Sequence, residues 1–169
     1  MSSEDTIEEL SAALVSEFLS AGKSISAAES CTGGWIAKSI TDVAGSSACF
    51  GYGVVSYSNG AKESILAVSP ATLHQHGAVS EQTVVEMAEG CMKLSGSDFS
   101  VAVSGIAGPD GGTDDKPVGT VWLAWATRSG GEITTEAEKC RFDGDRHQVR
   151  LQTVTKALQG LRERLRING

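Results

Sequence analysis

The sequence predicts an α/β fold, a three-layer α/β/α sandwich built around a mixed β-sheet. Three observations carry this. Apolar residues recur at helical spacing in well-separated segments, and short β-branched runs lie between them. The last two strand-like runs are joined through Ser129-Gly130-Gly131, as a hairpin would be. Alternating helices and strands ask for parallel neighbours and the hairpin adds antiparallel ones, so the sheet is mixed.

The elements follow in order. Residues 5 to 20 place Ile7, Leu10, Leu14 and Phe18 on one stripe, with Ser3 available as a cap, Glu4 and Asp5 in the first turn, and Gly22 ending the helix. Ser24 to Ala28 is small and alternating and reads as a strand, and Thr32-Gly33-Gly34 leads from it into a helix at Trp35 to Ile40. Ala48 to Tyr57 is aromatic and β-branched with two glycines, a strand that a backbone or ligand approaches closely. Asn59 is read as the cap of a short helix carrying Lys62. Ser69-Pro70 starts another helix, and Ser80 caps a longer one, with Val79 and Val84 as a staple and Val84, Met87, Ala88, Cys91 and Leu94 as its buried stripe. Phe99, Val101 and Val103 alternate in a strand that stops at a glycine-rich loop, Gly105 to Gly112. Val118 to Thr127 and Ile133 to Phe142 form the hairpin, and the final helix turns Val149, Thr153, Ala157, Leu161 and Leu165 inward.

Composition narrows the function. The 169 residues, 40% hydrophobic and 21% charged, suit a single domain over 1–169 with a core of Val, Leu, Ile and Ala. A net charge of −7 disfavours a protein that grips a nucleic-acid backbone with clustered Lys and Arg. Cys31, Cys49, Cys91 and Cys140 stand far apart without a C-x-x-C pair, so they read as reduced thiols. The acidic start lacks a signal-peptide pattern and no apolar run reaches the roughly 20 residues that cross a bilayer, which together predict a cytoplasmic protein. His74 and His76 are assigned to a helix end and loop, and without an acidic or Cys partner they do not form a metal site.

Amide hydrolysis needs a nucleophile, a base and donors aimed at the oxyanion. Ser30, at a strand-to-helix turn, presents a hydroxyl where helix-opening amides converge, although capping by Ser30 or Thr32 explains the same pattern. Cys31 is the rival nucleophile, and neighbouring side chains diverge, so one of the two faces the site. Lys62 serves as a base only if burial strips it of water, and by local rules it is a solvated helix residue, just as Tyr57 is a core aromatic. The loop from Gly105 offers unhindered amides but lacks the P-loop Lys and the dinucleotide spacing. Arg146 either grips a phosphate or pairs with Asp143 or Asp145.

Taken together, Ala28-Glu-Ser-Cys-Thr-Gly-Gly34, Tyr57-Ser-Asn-x-x-Lys62, His76-Gly-Ala-Val-Ser80, Ser104-Gly-Ile-Ala-Gly-Pro-Asp-Gly-Gly112, Lys116-Pro-Val-Gly-Thr120 and Gly144-Asp-Arg146 closely resemble the CinA C-terminal domain family, over about residues 6 to 165. The resemblance is to its stand-alone amidase members, without the molybdopterin-binding-like domain of longer ones. It implies hydrolysis of nicotinamide mononucleotide to nicotinic acid mononucleotide and ammonia in pyridine nucleotide salvage. It also implies no metal, no cofactor, and a homodimer or higher homo-oligomer. Carried onto this chain, it makes Ser30 the nucleophile and Lys62 its base, with Tyr57 and a serine of Ser46 and Ser47, here Ser47, orienting or relaying the proton. The amides around Thr32, Gly33 and Gly34 would form the oxyanion site, and Ser104, Gly105, Ile106, Ala107, Gly108 and Arg146 would hold ribose and phosphate. Two other readings stand beside it: a non-catalytic nucleotide-binding or competence-associated interaction module, and a Cys31-dependent hydrolase.

Overall fold

The computed structural model describes residues 3–168, with side chains from Thr6 onward. The cap expected of Ser3 and the charges of Glu4 and Asp5 fall on side chains outside the described residues. Five strands form one sheet in the order β2-β1-β3-β4-β5. They are β1 (Ile25–Glu29), β2 (Phe50–Val55), β3 (Phe99–Gly105), β4 (Thr120–Ser129) and β5 (Glu132–Arg141). β1 pairs parallel with β2 and β3, and β4 pairs antiparallel with β3 and β5. The sheet is therefore mixed.

Helices cover both faces. On one lie α1 (Ser3–Ala21), α2 (Trp35–Thr41) and α6 (Arg146–Asn168), packed on a core that includes Leu14, Phe18, Ile36, Val101, Trp125 and Leu158. On the other lie α3 (Asn59–Leu66), α4 (Pro70–His76) and α5 (Glu81–Ser95), over Ala28, Leu66, Met87, Met92 and Ala124. Because side chains alternate along a strand, β1 sends Ile25 and Ala27 to the first layer and Ala28 to the second. By the same alternation Glu29 belongs to the first layer and Ser30 to the second.

Local chemistry explains the boundaries. Ser80 caps α5, its side chain accepting from the Thr83 amide at 3.2 Å, and Gly96 ends it in the left-handed conformation. Val84, Met87, Ala88 and Cys91 face inward, but Leu94 in the last turn is 48% exposed and Met92 is buried in its place. α3 is capped by Ser58, whose side chain accepts from Ala61, and not by Asn59, which is its first helical residue. Ser69 precedes Pro70 at the start of α4 as expected, without a side-chain cap bond, and both His74 and His76 belong to that helix. The strand expected over Ala48 to Tyr57 is shorter: Ser46–Ala48 is a 3-10 turn and Tyr57 lies beyond β2. The close approach predicted at its glycines is made by α2, because a Cβ on Gly53 would lie 2.9 Å from that of Ala37. Gly160 plays the same part in α6, where a Cβ would overlap the Trp125 ring, whose indole N–H donates to the Ala157 carbonyl at 3.1 Å. Among the described residues no helix is long and apolar enough to cross a membrane.

Candidate active site

The loops that leave the carboxyl ends of β1, β2 and β3 converge at one edge of the sheet, the place where parallel α/β sheets form ligand crevices. Ser30 follows β1, Ser56 and Tyr57 follow β2, and the run Ile106-Ala107-Gly108 follows β3. β5 runs in the same direction as β3, so Arg146, at the start of α6, arrives at this edge too. A cavity of about 320 Å³ opens here, lined among others by Ser30, Cys31, Tyr57, Ser104, Gly105 and Arg146. Ile106, Ala107 and Gly108 also line it.

Beneath the cavity floor, behind Ser30, Lys62 Nζ lies 2.9 Å from Ser30 Oγ, and it donates to the Ser56 carbonyl at 2.7 Å. The Nζ–Oγ contact has Lys62 as donor while protonated and as acceptor once neutral. Lys62 is 1% exposed, among the largest buried side chains, and no carboxylate bonds it among the described residues. The helix brings it there: the Ser58 cap starts α3 immediately after β2, and Lys62 is placed one turn in, its amide bonded to the Ser58 carbonyl. Burial holds the Lys62 amine below the ordinary lysine value of 10.5, since the charged form loses its hydration without gaining an anion. A buried, uncompensated lysine beside a serine hydroxyl can take that hydroxyl's proton.

Cys31 lines the same cavity, but its thiol is pushed up to about 12, first by burial and then by the charge of Glu29. Such a thiol is a poor nucleophile at neutral pH. All four cysteines are free, and among the described residues no group of His, Cys, Asp and Glu is placed to hold a metal ion.

The rim carries a cation, Arg146, and an acid, Asp110. Arg146 donates to the Gly108 carbonyl at 2.9 Å and to the Tyr57 hydroxyl at 3.1 Å, rather than to Asp143 or Asp145. Asp145 instead shares reciprocal bonds with Gln148 that close the first turn of α6. Tyr57 is 61% exposed, so it is a rim residue and not a core aromatic, and its hydroxyl meets Arg146 and not the Ser30–Lys62 pair. Ser104 is 1% exposed and sits one step beyond the Glu29–Val103 register pair, beside Ser30.

Two groups of expected residues do not line the cavity that holds Ser30. Ser47 is exposed in the 3-10 turn before β2, at the end of the sheet where Phe50 pairs with Ile25. Glu29, next to Ser30, pairs with Val55 at the other end, so at about 3.3 Å per residue Ser47 is more than 10 Å away. Parallel pairing of β1 and β2 forces that separation. Thr32, Gly33 and Gly34 line a different cavity, of about 540 Å³, together with Trp35, His147 and Arg150 on the α1/α2/α6 side. The Gly33 amide is spent on the Ser30 carbonyl at 3.1 Å, and the first amides of α2, those of Ile36 and Ala37, are taken by the Glu29 carboxylate at 2.8 and 3.0 Å. Sequence reading assigned no part to Glu29, Arg150 or the Ser56 carbonyl. A lone glutamate in a strand of small residues was the available signal for Glu29.

With this geometry in hand, comparison with known proteins is informative. The CinA C-terminal domain family model matches residues 7–165. The chain is 57% identical over 140 residues to the nicotinamide-nucleotide amidohydrolase PncC of Escherichia coli K12, covering 83% of each protein. It is 53% identical over 162 residues to PncC of Enterobacter agglomerans, covering 95% of this chain and 97% of that one. Among solved structures, a competence damage-inducible protein A from Klebsiella pneumoniae superposes with a TM-score of 0.91 at 41% identity, covering 96% and 99% of the two chains. Motif, fold and relatives agree, and the chain belongs to the CinA C-terminal domain family.

Proposed function

We propose that this protein is a nicotinamide-nucleotide amidohydrolase, converting nicotinamide mononucleotide and water to nicotinic acid mononucleotide and ammonia through a Ser30/Lys62 pair. The observation that carries the mechanism is the 2.9 Å approach of a buried, uncompensated Lys62 amine to the Ser30 hydroxyl. The substrate reading rests on the relatives named for that activity. Neutral Lys62 takes the proton as Ser30 Oγ attacks the carboxamide carbon, and the resulting ammonium group of Lys62 gives it to the amide nitrogen, which leaves as ammonia when the C–N bond breaks. Water then attacks the acyl carbon with Lys62 again as base, Lys62 passes that proton to Ser30 Oγ as the acyl–oxygen bond breaks, and the acid product leaves and ionises to the carboxylate. The Gly33 amide is already engaged, so oxyanion donors would come from other backbone of the cavity wall. Arg146, a permanent cation on the rim, suits the phosphate, with Ser104 and the run from Gly105 to Gly108 toward the ribose. The same reading takes the protein as one amidohydrolase domain, cytoplasmic and a homo-oligomer. Ammonia release from nicotinamide mononucleotide, measured with a chelator present and on Ser30→Ala, tests it: chelator-resistant release by the parent and none by the variant supports the pair. Full release by Ser30→Ala refutes it.

A further inference from the structure

The turn that carries Ser30 is held from the face of the sheet opposite the cavity. Glu29 is completely buried, and both its carboxylate oxygens are occupied. Oε1 accepts from the Thr32 hydroxyl at 2.6 Å and the Ile36 amide at 2.8 Å, and Oε2 accepts from the Ala37 amide at 3.0 Å. A buried carboxylate is costly without such donors, and here it also meets the positive end of α2. From α6, Arg150 donates through Nε to the Cys31 carbonyl at 3.0 Å and through a terminal nitrogen to the Thr32 carbonyl at 3.1 Å, while its guanidinium lies 5.6 Å from the Trp35 ring centroid. The fork geometry of arginine fixes two successive carbonyls at once, which an ammonium does not reproduce.

We infer that Glu29 and Arg150 are positioning residues for Ser30, clamping the turn 30–34: Glu29 ties the Thr32 hydroxyl to the first turn of α2, and Arg150 takes the Cys31 and Thr32 carbonyls. The inference rests on the Ser30/Lys62 reading. Thr32 is the junction, fully buried, with its hydroxyl on Glu29 and its carbonyl on Arg150. Inside the turn, the Gly33 amide bonds the Ser30 carbonyl and the Trp35 amide bonds the Thr32 carbonyl. The planar peptides of Cys31–Thr32 and Thr32–Gly33 are thereby fixed in orientation. Gly33, in the left-handed region, has its Cα facing Arg150: a Cβ there would lie 3.5 Å from the guanidinium. Neither clamping side chain lines the cavity that holds Ser30. Their effect on chemistry therefore passes through the position of Oγ against Lys62 Nζ, where misplacement by about 1 Å costs on the order of 100-fold in rate.

The test compares Arg150→Lys, Thr32→Val and Thr32→Ser with the parent for ammonia release from nicotinamide mononucleotide, with Ser30→Ala assayed beside them and folding checked by thermal melting. Arg150→Lys keeps charge but loses the fork, and Thr32→Val keeps shape but loses the hydroxyl that Glu29 accepts. The clamp predicts that both lower kcat by about 10- to 100-fold with KM within about twofold, and that Thr32→Ser recovers kcat relative to Thr32→Val. Parental kcat in Arg150→Lys and Thr32→Val, with Ser30→Ala inactive, overturns the clamp alone. So does a loss confined to KM. An active Ser30→Ala overturns the nucleophile reading and the clamp with it. If Arg150→Lys does not fold, the Thr32 pair decides.

Discussion

Lys62 and Arg146 are basic side chains on either side of the cavity wall, and their surroundings set them apart. Lys62 lies beneath the floor, 1% exposed, bonded to a hydroxyl and a carbonyl and, among the described residues, to no carboxylate. Arg146 lies at the rim, with a carbonyl and a phenol as partners. Burial pulls the amine toward its neutral, proton-accepting form, whereas a guanidinium stays charged at any working pH and can only attract. The difference teaches that burial and residue type act together here: dehydration can neutralise an amine, and no such shift is open to a guanidinium.

The largest effect expected is at the floor. Ser30→Ala and Lys62→Ala should each reduce kcat for ammonia release by on the order of 1,000-fold or more, because the nucleophile and its base act as a unit and their losses do not add. A double variant no worse than either single one would sharpen that point, and additive losses would break it. At the rim, Arg146→Ala should raise KM by about 10- to 100-fold, the scale of a lost charge-assisted contact, and change kcat little. If kcat falls instead and KM is steady, the division between floor and rim is wrong.

The pH dependence follows from the lowered Lys62 value. Activity should rise with pH as Lys62 loses its proton, and kcat/KM should level off below 10.5, the ordinary lysine value. Stability carries the same signature. A lysine held low in the folded state binds fewer protons folded than unfolded, so its burial penalty is present at low pH and is relieved as pH rises from the folded value to 10.5. Melting of the parent against Lys62→Met across that range should therefore shift in the parent's favour with rising pH, and a constant difference would show that Lys62 is not depressed. The smallest effect expected is at Cys31. Its thiol, pushed up to about 12, should resist alkylation at neutral pH, and Cys31→Ala should keep ammonia release within about threefold. Rapid inactivation by iodoacetamide with loss tracking Cys31 would restore the thiol as nucleophile.

Much of this was legible in the chain because the signals are local. The stripe Ile7-Leu10-Leu14-Phe18 is buried in the core as its spacing requires, Ser80 caps α5, and the glycine pair after Ser129 turns the hairpin. Errors arose where neighbours in space chose between equal local options. Ser58 and Asn59 are both good caps, and the path out of β2 selects Ser58. Leu94 continues the stripe of α5 on paper, but in the last turn the buried side has passed to Met92. Ser47, which the family resemblance sets beside Ser30, is carried by parallel strand pairing to the far end of the sheet.

The sequence by itself determined the order of helices and strands, the mixed sheet, the turn at Ser30 and the identity of the residues available for chemistry, since caps, turns and periodicity act within a few residues. Only the tertiary structure decided what those residues do. It buried Lys62 beside a serine 32 positions away, exposed Tyr57 to meet Arg146, and turned Glu29 and Ser30 to opposite faces. The physical reason is that proximity and dehydration are properties of the packed chain: a lysine's proton affinity depends on the water and charge around it, and no local pattern encodes those.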